Sequence, residues 1–425
     1  MMKYFLKTYG CQMNIHDSEF ISGVVEEMGF FPSPPDEADL IILNTCSVRD
    51  RAEQKVRTYL GDLKKIKSKN PRLVIGVMGC MASRARDYLE RLNFLDFLLG
   101  PTQIESFPAV LSGVLKNKGI SPPRVSLPFK YKRADKISAY VNITLGCSNF
   151  CSYCVVPYVR GRERSRPPEE IIEEIKDLSG CGFLEVILLG QNVNAYGKEI
   201  PGWSFERLLE KIAEIDGIQR IRYTTSHPRD FTKSLVLKIK NLPKVCEHFH
   251  LPVQSGSNKV LESMNRGYSR EEYLDLVSFI REEVPVSSIT TDLIVGYPEE
   301  GEREFLETVD LMERVKFDHA YILTYSPRPG TSAFSLGDPV PSSEKERRLH
   351  FLQEKQRQHS LFRNLPLKGE TLEVLVEGKD PKGNLIGRTR TNKEAFFRGE
   401  ESLLGKLVRV KIEEVTPWSL KGKEL

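Results

Sequence analysis

Short apolar runs alternate with longer amphipathic stretches through most of this chain. That alternation restricts it to parallel sheets covered by helices, because parallel neighbours need a crossover connection and a helix supplies it. From Lys3 to about Lys118, Tyr4 to Lys7, Leu40 to Leu43, Val74 to Met78 and Phe97 to Leu99 read as strands. Asp17 to Met28, Arg51 to Lys67 and Arg84 to Leu92 carry apolar residues near the 3.6-residue period of a helix. The expectation is an α/β fold that begins with a small doubly wound parallel sheet.

Asn117 to Lys136 is rich in proline and base (Pro122, Pro123, Pro128, Lys130, Lys132, Arg133) and reads as a connector. Beyond it come six further strand candidates: Val141 to Leu145, Val186 to Leu189, Ile221 to Thr225, Phe249 to Val253, Ile289 to Val295 and Tyr321 to Tyr325. Amphipathic helices lie between them, among them Pro168 to Leu178, Phe205 to Ile215, Glu271 to Glu282 and Phe305 to Val315, with Ser269 and Glu272 spaced as a capping box. Six strand-helix units, against the common eight, predict an open (β/α)6 partial barrel whose gap admits a large substrate. Ser326 to Ser343 holds eleven Pro, Gly or Ser in 18 positions and reads as a loop before a charged helix from Glu344 to about Arg363. From Thr371 the pattern becomes short strands with turns (Leu372 to Val376, Leu385 to Thr389, Ala395 to Phe397, Leu407 to Ile412), which fits a small β-barrel. The expected domains are 1–118, 130–363 and 367–425.

No apolar run approaches the roughly 18 residues of a membrane span, and the N-terminal Lys3 and Lys7 break any secretory pattern. A cytoplasmic protein without membrane contact is expected. The eight cysteines of the chain then read as thiols or metal ligands, not as a disulfide framework. The net charge of +4 permits a polyanionic partner only where positive charge concentrates locally.

Cys147, Cys151 and Cys154 form a C-x3-C-x2-C group directly after a predicted strand. Three thiolates from one short loop hold three irons of a cubane cluster and leave the fourth open to chelation by an amino acid group such as that of S-adenosylmethionine. A closed zinc site needs a fourth ligand that this loop lacks, and a redox pair of Cys151 and Cys154 leaves Cys147 unexplained. Cys11, Cys46 and Cys80 each follow a predicted strand of the N-terminal domain, where open parallel sheets place their ligand sites. Cys181 and Cys246 lack a partner at informative spacing and read as packing residues.

The segment Gly146-Cys147-Ser148-Asn149-Phe150-Cys151-Ser152-Tyr153-Cys154 resembles the radical S-adenosylmethionine signature. Val155 to Gly161, Ser165-Arg166-Pro167, Leu189 to Asn194, His250 to Ser257 and Tyr325 to Gly330 resemble the methylthiotransferase family in particular. The resemblance covers almost the whole chain. It implies two [4Fe-4S] clusters, one on Cys147, Cys151 and Cys154 and a second on Cys11, Cys46 and Cys80, together with S-adenosylmethionine. It also implies transfer of a methylthio group to carbon 2 of an isopentenyl-modified adenosine beside the anticodon, in the tRNA anticodon stem-loop, with an electron donor and a sulfur donor as further partners. Threonylcarbamoyl-adenosine in tRNA and an aspartate of a ribosomal protein are the other substrates within the family. On the residues alone, a non-catalytic metal-containing RNA-binding protein stays open.

Cofactor contacts are expected from Tyr153, whose ring suits the adenine, from Gly190 and Gln191 after a strand, and from Ser226, Gln254 and Asp292 at strand ends. His227, His248 and His250 read as structural histidines. For RNA, Arg160, Arg162, Arg164 and Arg166 against Glu163 give +3 in seven residues. Arg388, Arg390, Lys393 and Arg398 with Phe396 and Phe397 resemble the charge and stacking surface of the TRAM module, a small RNA-binding barrel.

Overall fold

The computed structural model describes residues 2–47, 50–120, 131–133 and 136–425. They form two compact units, Met1–Asp135 with Leu145–Ser148 and Cys154–Arg164, and Lys136–Thr144 with Asn149–Tyr153 and Ser165–Leu425. No helix among the described residues is long and apolar enough to cross a membrane.

The first unit is built on β1 (Met2–Thr8), β2 (Phe30–Pro32), β3 (Leu40–Thr45), β4 (Val74–Gly79) and β5 (Phe97–Leu99), all parallel in the order β2-β1-β3-β4-β5. β3 and β4 are buried along their whole length, as a strand covered on both faces must be. The two-residue alternation splits their side chains between two cores. Leu40, Ile42 and Val74 pack with Ile21, Val24, Phe107 and Leu111, whereas Ile41, Leu43 and Ile75 pack with Val56, Leu60 and Leu63. This is the doubly wound sheet the alternation predicts.

Its first helix starts earlier than the periodicity suggests, at Gln12 and not Asp17. The added residues, Gln12 to His16, include buried polar Asn14 and His16, which break the apolar stripe there. The stretch Arg84 to Leu92 resolves into two short helices, Cys80–Arg84 and Arg86–Glu90. Of the proposed connector, Pro122, Pro123, Pro128 and Lys130 lie outside the described residues. Its end is no loose linker: Tyr131 meets His16 and Phe20, Lys132 pairs with Glu26 and Arg133 with Glu19.

The second unit opens with six parallel strands, β6 (Ser138–Asn142), β7 (Glu185–Leu189), β8 (Arg220–Tyr223), β9 (His248–His250), β10 (Ser288–Val295) and β11 (His319–Thr324). They pair as β8-β7-β6 and β9-β10-β11, and a parallel bridge from Ile221 to Val245 joins the two sheets. β6 and β11 remain edge strands, so the barrel is open along one side. Helices Pro168–Gly180, Phe205–Ala213, Arg270–Glu283 and Glu302–Val315 cover it. Ser269 caps the third as expected, its hydroxyl accepting from Glu272 N at 3.2 Å while Ser269 N donates to the Glu272 carboxylate at 2.7 Å.

The C-terminal strands β12 (Thr371–Lys379), β13 (Leu385–Thr389), β14 (Glu394–Arg398), β15 (Leu407–Val415) and β16 (Leu420–Glu424) close into a barrel in the order β12-β13-β14-β16-β15 around Val374, Val376, Phe397, Val410 and Ile412. Closure removes the exposed edges that a module of this size would otherwise present. β16 had no apolar run to announce it, being Leu420-Lys421-Gly422-Lys423-Glu424.

Ionic contacts fasten this module to the entry ends of the barrel strands. Buried Arg220 donates to Arg388 O at 2.7 Å and to the Glu373 carboxylate at 2.8 Å. Arg222 is held by Glu185 at 2.7 Å and donates to Thr389 O and Arg390 O at 2.7 and 2.9 Å. Arg390 forks onto Glu247, and Lys393 bonds Asp318 and Asn364.

Candidate metal centres and cofactor site

In the first unit, Cys11, Cys46 and Cys80 follow β1, β3 and β4 and meet beyond the carboxyl ends of adjacent strands. Two glycines make that approach possible. Gly10 has φ +142°, and a Cβ there would stand 2.6 Å from Cys46 Cβ. Gly79 has φ +91°, and its Cβ would stand 2.4 Å from Thr45 O. Cys11 caps the helix Gln12–Glu27, with its N–H donating to Asn14 Oδ1 at 3.3 Å. Asn14 and Asn44 then lock the turns together, Asn14 Nδ2 to Asn44 Oδ1 at 3.1 Å and Asn44 Nδ2 to Asn14 O at 2.7 Å.

Arg160, which the charge run suggests as an RNA contact, enters this group from the helix Val156–Arg160. It is 5% exposed, and its Nη2 donates to Asp17 Oδ2 at 3.2 Å. Its buried Nη1 has no hydrogen-bond partner among the described residues. A hydrogen bond with Cys46 carries the Cys11 thiol down to about 5, against burial and with help from Arg160. Burial pushes the Cys80 thiol up, and Arg160 opposes it. The group is therefore a set of thiols facing a buried cation, a donor set that suits an anionic iron-sulfur cluster.

The loop triad is local in sequence. Cys147 and Cys154 belong to the first unit and Cys151 to the second. Gly146 repeats the device seen at Gly10 and Gly79: its φ is +74°, and a Cβ would come 2.2 Å from Arg162 O. Cys147 N donates to Gly161 O at 3.1 Å. Each of Cys11, Cys80 and Cys147 thus follows a glycine in left-handed backbone, whereas Gly180, ahead of Cys181, ends a helix.

In the second unit, Cys151 Sγ accepts from Arg266 Nη1 at 3.2 Å and lies 3.9 Å from His227 Nε2. Arg266, which the sequence reading missed, is 3% exposed and also reaches Tyr153 OH at 3.4 Å and Tyr268 OH at 3.1 Å. Burial, with Arg266, Arg229 and Lys198, pushes His227 down to about 2, so it stands neutral beside the thiol. Ser152 anchors the loop: its Oγ donates to Ser263 O at 2.6 Å, and its carbonyl accepts from Ala333 N at 2.7 Å. The stretch Tyr325 to Gly330 lies beside that anchor, with Tyr325 OH donating to Ala333 O at 3.1 Å.

At the carboxyl ends of β6 to β8, Asn142 Oδ1, Thr144 Oγ1, Asn192 Oδ1, Ser226 Oγ and both amide atoms of Asn194 are buried without a hydrogen-bond partner among the described residues. Buried polar atoms left this way fit a polar ligand. Gly190 keeps the space open, since a Cβ there would stand 2.0 Å from Thr144 Oγ1. Gln191 is half-buried beside it. Gln254 is buried with φ +76°, a conformation non-glycine residues adopt at a cost, and its N–H donates to Asp292 O at 2.9 Å. Asp292 faces His250 at 3.6 Å. His248 and His250 share Thr290 Oγ1, each at 3.0 Å. Among the described residues no group of three His, Cys, Asp or Glu side chains converges as around a single ion. A cubane binds each thiolate to a different iron, so its ligands stand farther apart.

The arginines read as RNA contacts divide. Arg162 and Arg164 are exposed and line a cavity of about 260 Å³ with Pro101 and Glu105. Arg166 is held by Glu174 at 2.7 Å and Asn142 O at 2.8 Å. Arg388 forks onto Glu377 and Arg390 onto Glu247, so both are committed within the protein.

A radical SAM superfamily model matches residues 141–312, a TRAM domain model 367–425, and a model described as uncharacterized protein family UPF0004 residues 3–100. Among solved structures, the chain resembles the radical S-adenosylmethionine methyltransferase TsrM from Kitasatospora setae (14% identity, TM-score 0.57, covering 79% of this chain and 77% of that one). It also resembles the cobalamin-dependent S-adenosylmethionine radical enzyme OxsB (13%, 0.53, 83% and 56%), and these likenesses establish the fold. A protein of Carboxydothermus hydrogenoformans is 49% identical, covering 99% of this chain and 98% of its own length, and one of Moorella thermoacetica is 48% identical over 98% and 97%. Both are named tRNA-2-methylthio-N(6)-dimethylallyladenosine synthase. With identity sustained over nearly the whole length of both chains, this protein belongs to that synthase family, within the radical S-adenosylmethionine superfamily.

Proposed function

We propose that the chain transfers a methylthio group to carbon 2 of the dimethylallyl-modified (isopentenyl) adenosine beside the tRNA anticodon, using two [4Fe-4S] clusters and S-adenosylmethionine. The observation that carries the reading is the pair of cysteine triads, each supplying three thiols for a cube of four irons. Bound at Cys147, Cys151 and Cys154, a cluster with S-adenosylmethionine supplies the electron and carbon radical needed to break an aromatic C–H bond that no general base deprotonates. Arg266 orients Cys151 and offsets thiolate charge, with neutral His227 3.9 Å from the same sulfur. The polar atoms of Asn142, Thr144, Asn192, Asn194 and Ser226, with Tyr153, Gly190, Gln191, Gln254 and Asp292, form the pocket for the cofactor. Cys11, Cys46 and Cys80 would hold the second cluster, with Arg160, bonded to Asp17, as buried counter-charge. Exposed Arg162 and Arg164 would meet phosphates of the substrate. Arg166, Arg388 and Arg390 act as structural residues.

The dimethylallyl substrate follows the relatives' name. In a strain lacking this gene, mass spectrometry of tRNA should find dimethylallyl-adenosine without its methylthio group, restored when the gene is returned. Unchanged methylthio-dimethylallyl-adenosine would reject the assignment, and loss from threonylcarbamoyl-adenosine would redirect it. Anaerobically reconstituted protein should hold about eight irons per chain.

A further inference from the structure

The open side of the barrel is bordered by β11, whose side chains alternate between two environments. Ala320 is buried, whereas Tyr321 and Leu323 are 49% and 45% exposed although they sit in a strand of the barrel wall. The aromatic rings do not stand alone. His250 meets Tyr321 edge-on at 6.0 Å, Tyr321 meets His319 at 4.5 Å, and His319 meets Trp418 at 5.8 Å. Trp418, in the turn between β15 and β16, is 55% exposed. The rings therefore make one continuous ladder from Asp292 and His250, inside the barrel, along its unpaired edge to the C-terminal module.

Edge-on packing holds each ring against its neighbour, and Tyr321 and Trp418 stay about half exposed. Next to Trp418, Ser419 begins the wall of a groove of about 690 Å³ on the module. Lys382, Arg398, Lys421 and Lys423 line that groove around Phe396, with three acids among them. Exposed aromatic rings that continue toward a groove lined by four cations and three acids match a single-stranded nucleic acid, whose bases stack on rings while its phosphates meet the cations. A protein partner would want a closed apolar patch, and this surface is a narrow line of amphipathic rings.

Resting on the function proposed above, we propose that the ladder of His250, Tyr321, His319 and Trp418 is a stacking track along which unpaired nucleotides of the substrate RNA run from the C-terminal module into the open side of the barrel. Trp418 and Tyr321 each take a base, and the opening left by the six-strand barrel is the entrance.

The chain has two tryptophans, Trp203 and Trp418, so Trp203→Phe leaves Trp418 as the reporter. Titrating the full-length protein with an anticodon stem-loop RNA bearing dimethylallyl-adenosine should quench its fluorescence. Trp418→Ala and Tyr321→Ala should each weaken RNA binding about tenfold, whereas Tyr321→Phe, which keeps the ring, should stay within about twofold of the parent. Thermal midpoints separate these effects from misfolding, and the quenching in the Trp203→Phe protein needs no ladder variant. RNA that binds without quenching, or alanine variants that bind within twofold of the parent, would each overturn the track. A parent that restores methylthio-adenosine to the deletion strain while the alanine variants bind normally would sink this inference alone; a parent that restores nothing would sink the function on which it rests.

Discussion

The two cysteine triads are assembled by opposite routes. Cys147, Cys151 and Cys154 fall within eight residues of one loop, so their proximity is set by chain connectivity before any sheet forms. Cys11, Cys46 and Cys80 are separated by more than thirty residues at each step and meet only because β1, β3 and β4 lie side by side with matched carboxyl ends. The first arrangement needs no sheet register to bring its cysteines near one another. The second depends on sheet register, on the Asn14 and Asn44 lock and on one buried cation, Arg160. Both share the left-handed glycine ahead of a cysteine.

The largest expected effect separates the triads by function. Cys151→Ala should reduce release of 5'-deoxyadenosine to background, whereas Cys46→Ala should keep that release and stop methylthio insertion, each variant retaining about four irons. If Cys46→Ala also loses cofactor cleavage while remaining folded, the two sites are not separable as described here.

Next comes the buried cation. Arg160→Ala leaves Asp17 and the thiols without their counter-charge, and removing one partner of a buried pair costs about 3–5 kcal/mol. The expected outcome is a lowered thermal midpoint with selective loss of iron from the N-terminal set, partly recovered in Arg160→Lys. An Arg160→Ala protein with full iron and an unchanged midpoint would break the contrast.

The smallest effect tests the shared glycines. Forcing a side chain into these left-handed positions costs about 1–3 kcal/mol of local strain. Gly79→Ala should deplete the N-terminal irons and spare cofactor cleavage, and Gly146→Ala should do the reverse. Site-resolved Mössbauer or electron paramagnetic resonance spectra of the two variants would read this directly, and identical spectra would count against a division of the chain into two independently built centres.

Much of the architecture was legible because it follows from periodicity. β3 and β4 read as apolar runs since both faces are buried, and the six central strands were found within a few residues of their ends. Elements with mixed composition were harder. β16 has one buried residue, Leu420, and takes its place from pairing with β14 and β15. The first turn of the helix Gln12–Glu27 mixes apolar and polar residues, and its buried Asn14 serves the cysteine site.

The arginines teach the same lesson about the sites. A run of base near a cluster loop reads as an RNA patch, yet local charge density says nothing about which side chains find acids elsewhere. Arg160 found Asp17, far away in the chain, Arg166 found Glu174, and Arg390 found Glu247. Arg266 carried no distinguishing pattern, and only the fold brings it to Cys151.

What the sequence determined by itself was local: the spacing of three thiols on one loop, and the strand-helix alternation that requires parallel sheets. Tertiary structure decided which distant residues share a site, because strand order and register, set by burial of both sheet faces, bring Cys11, Cys46, Cys80 and Arg160 to one point. It also decided that the barrel stays open at β11, so that Tyr321 and Trp418 reach solvent on the same line.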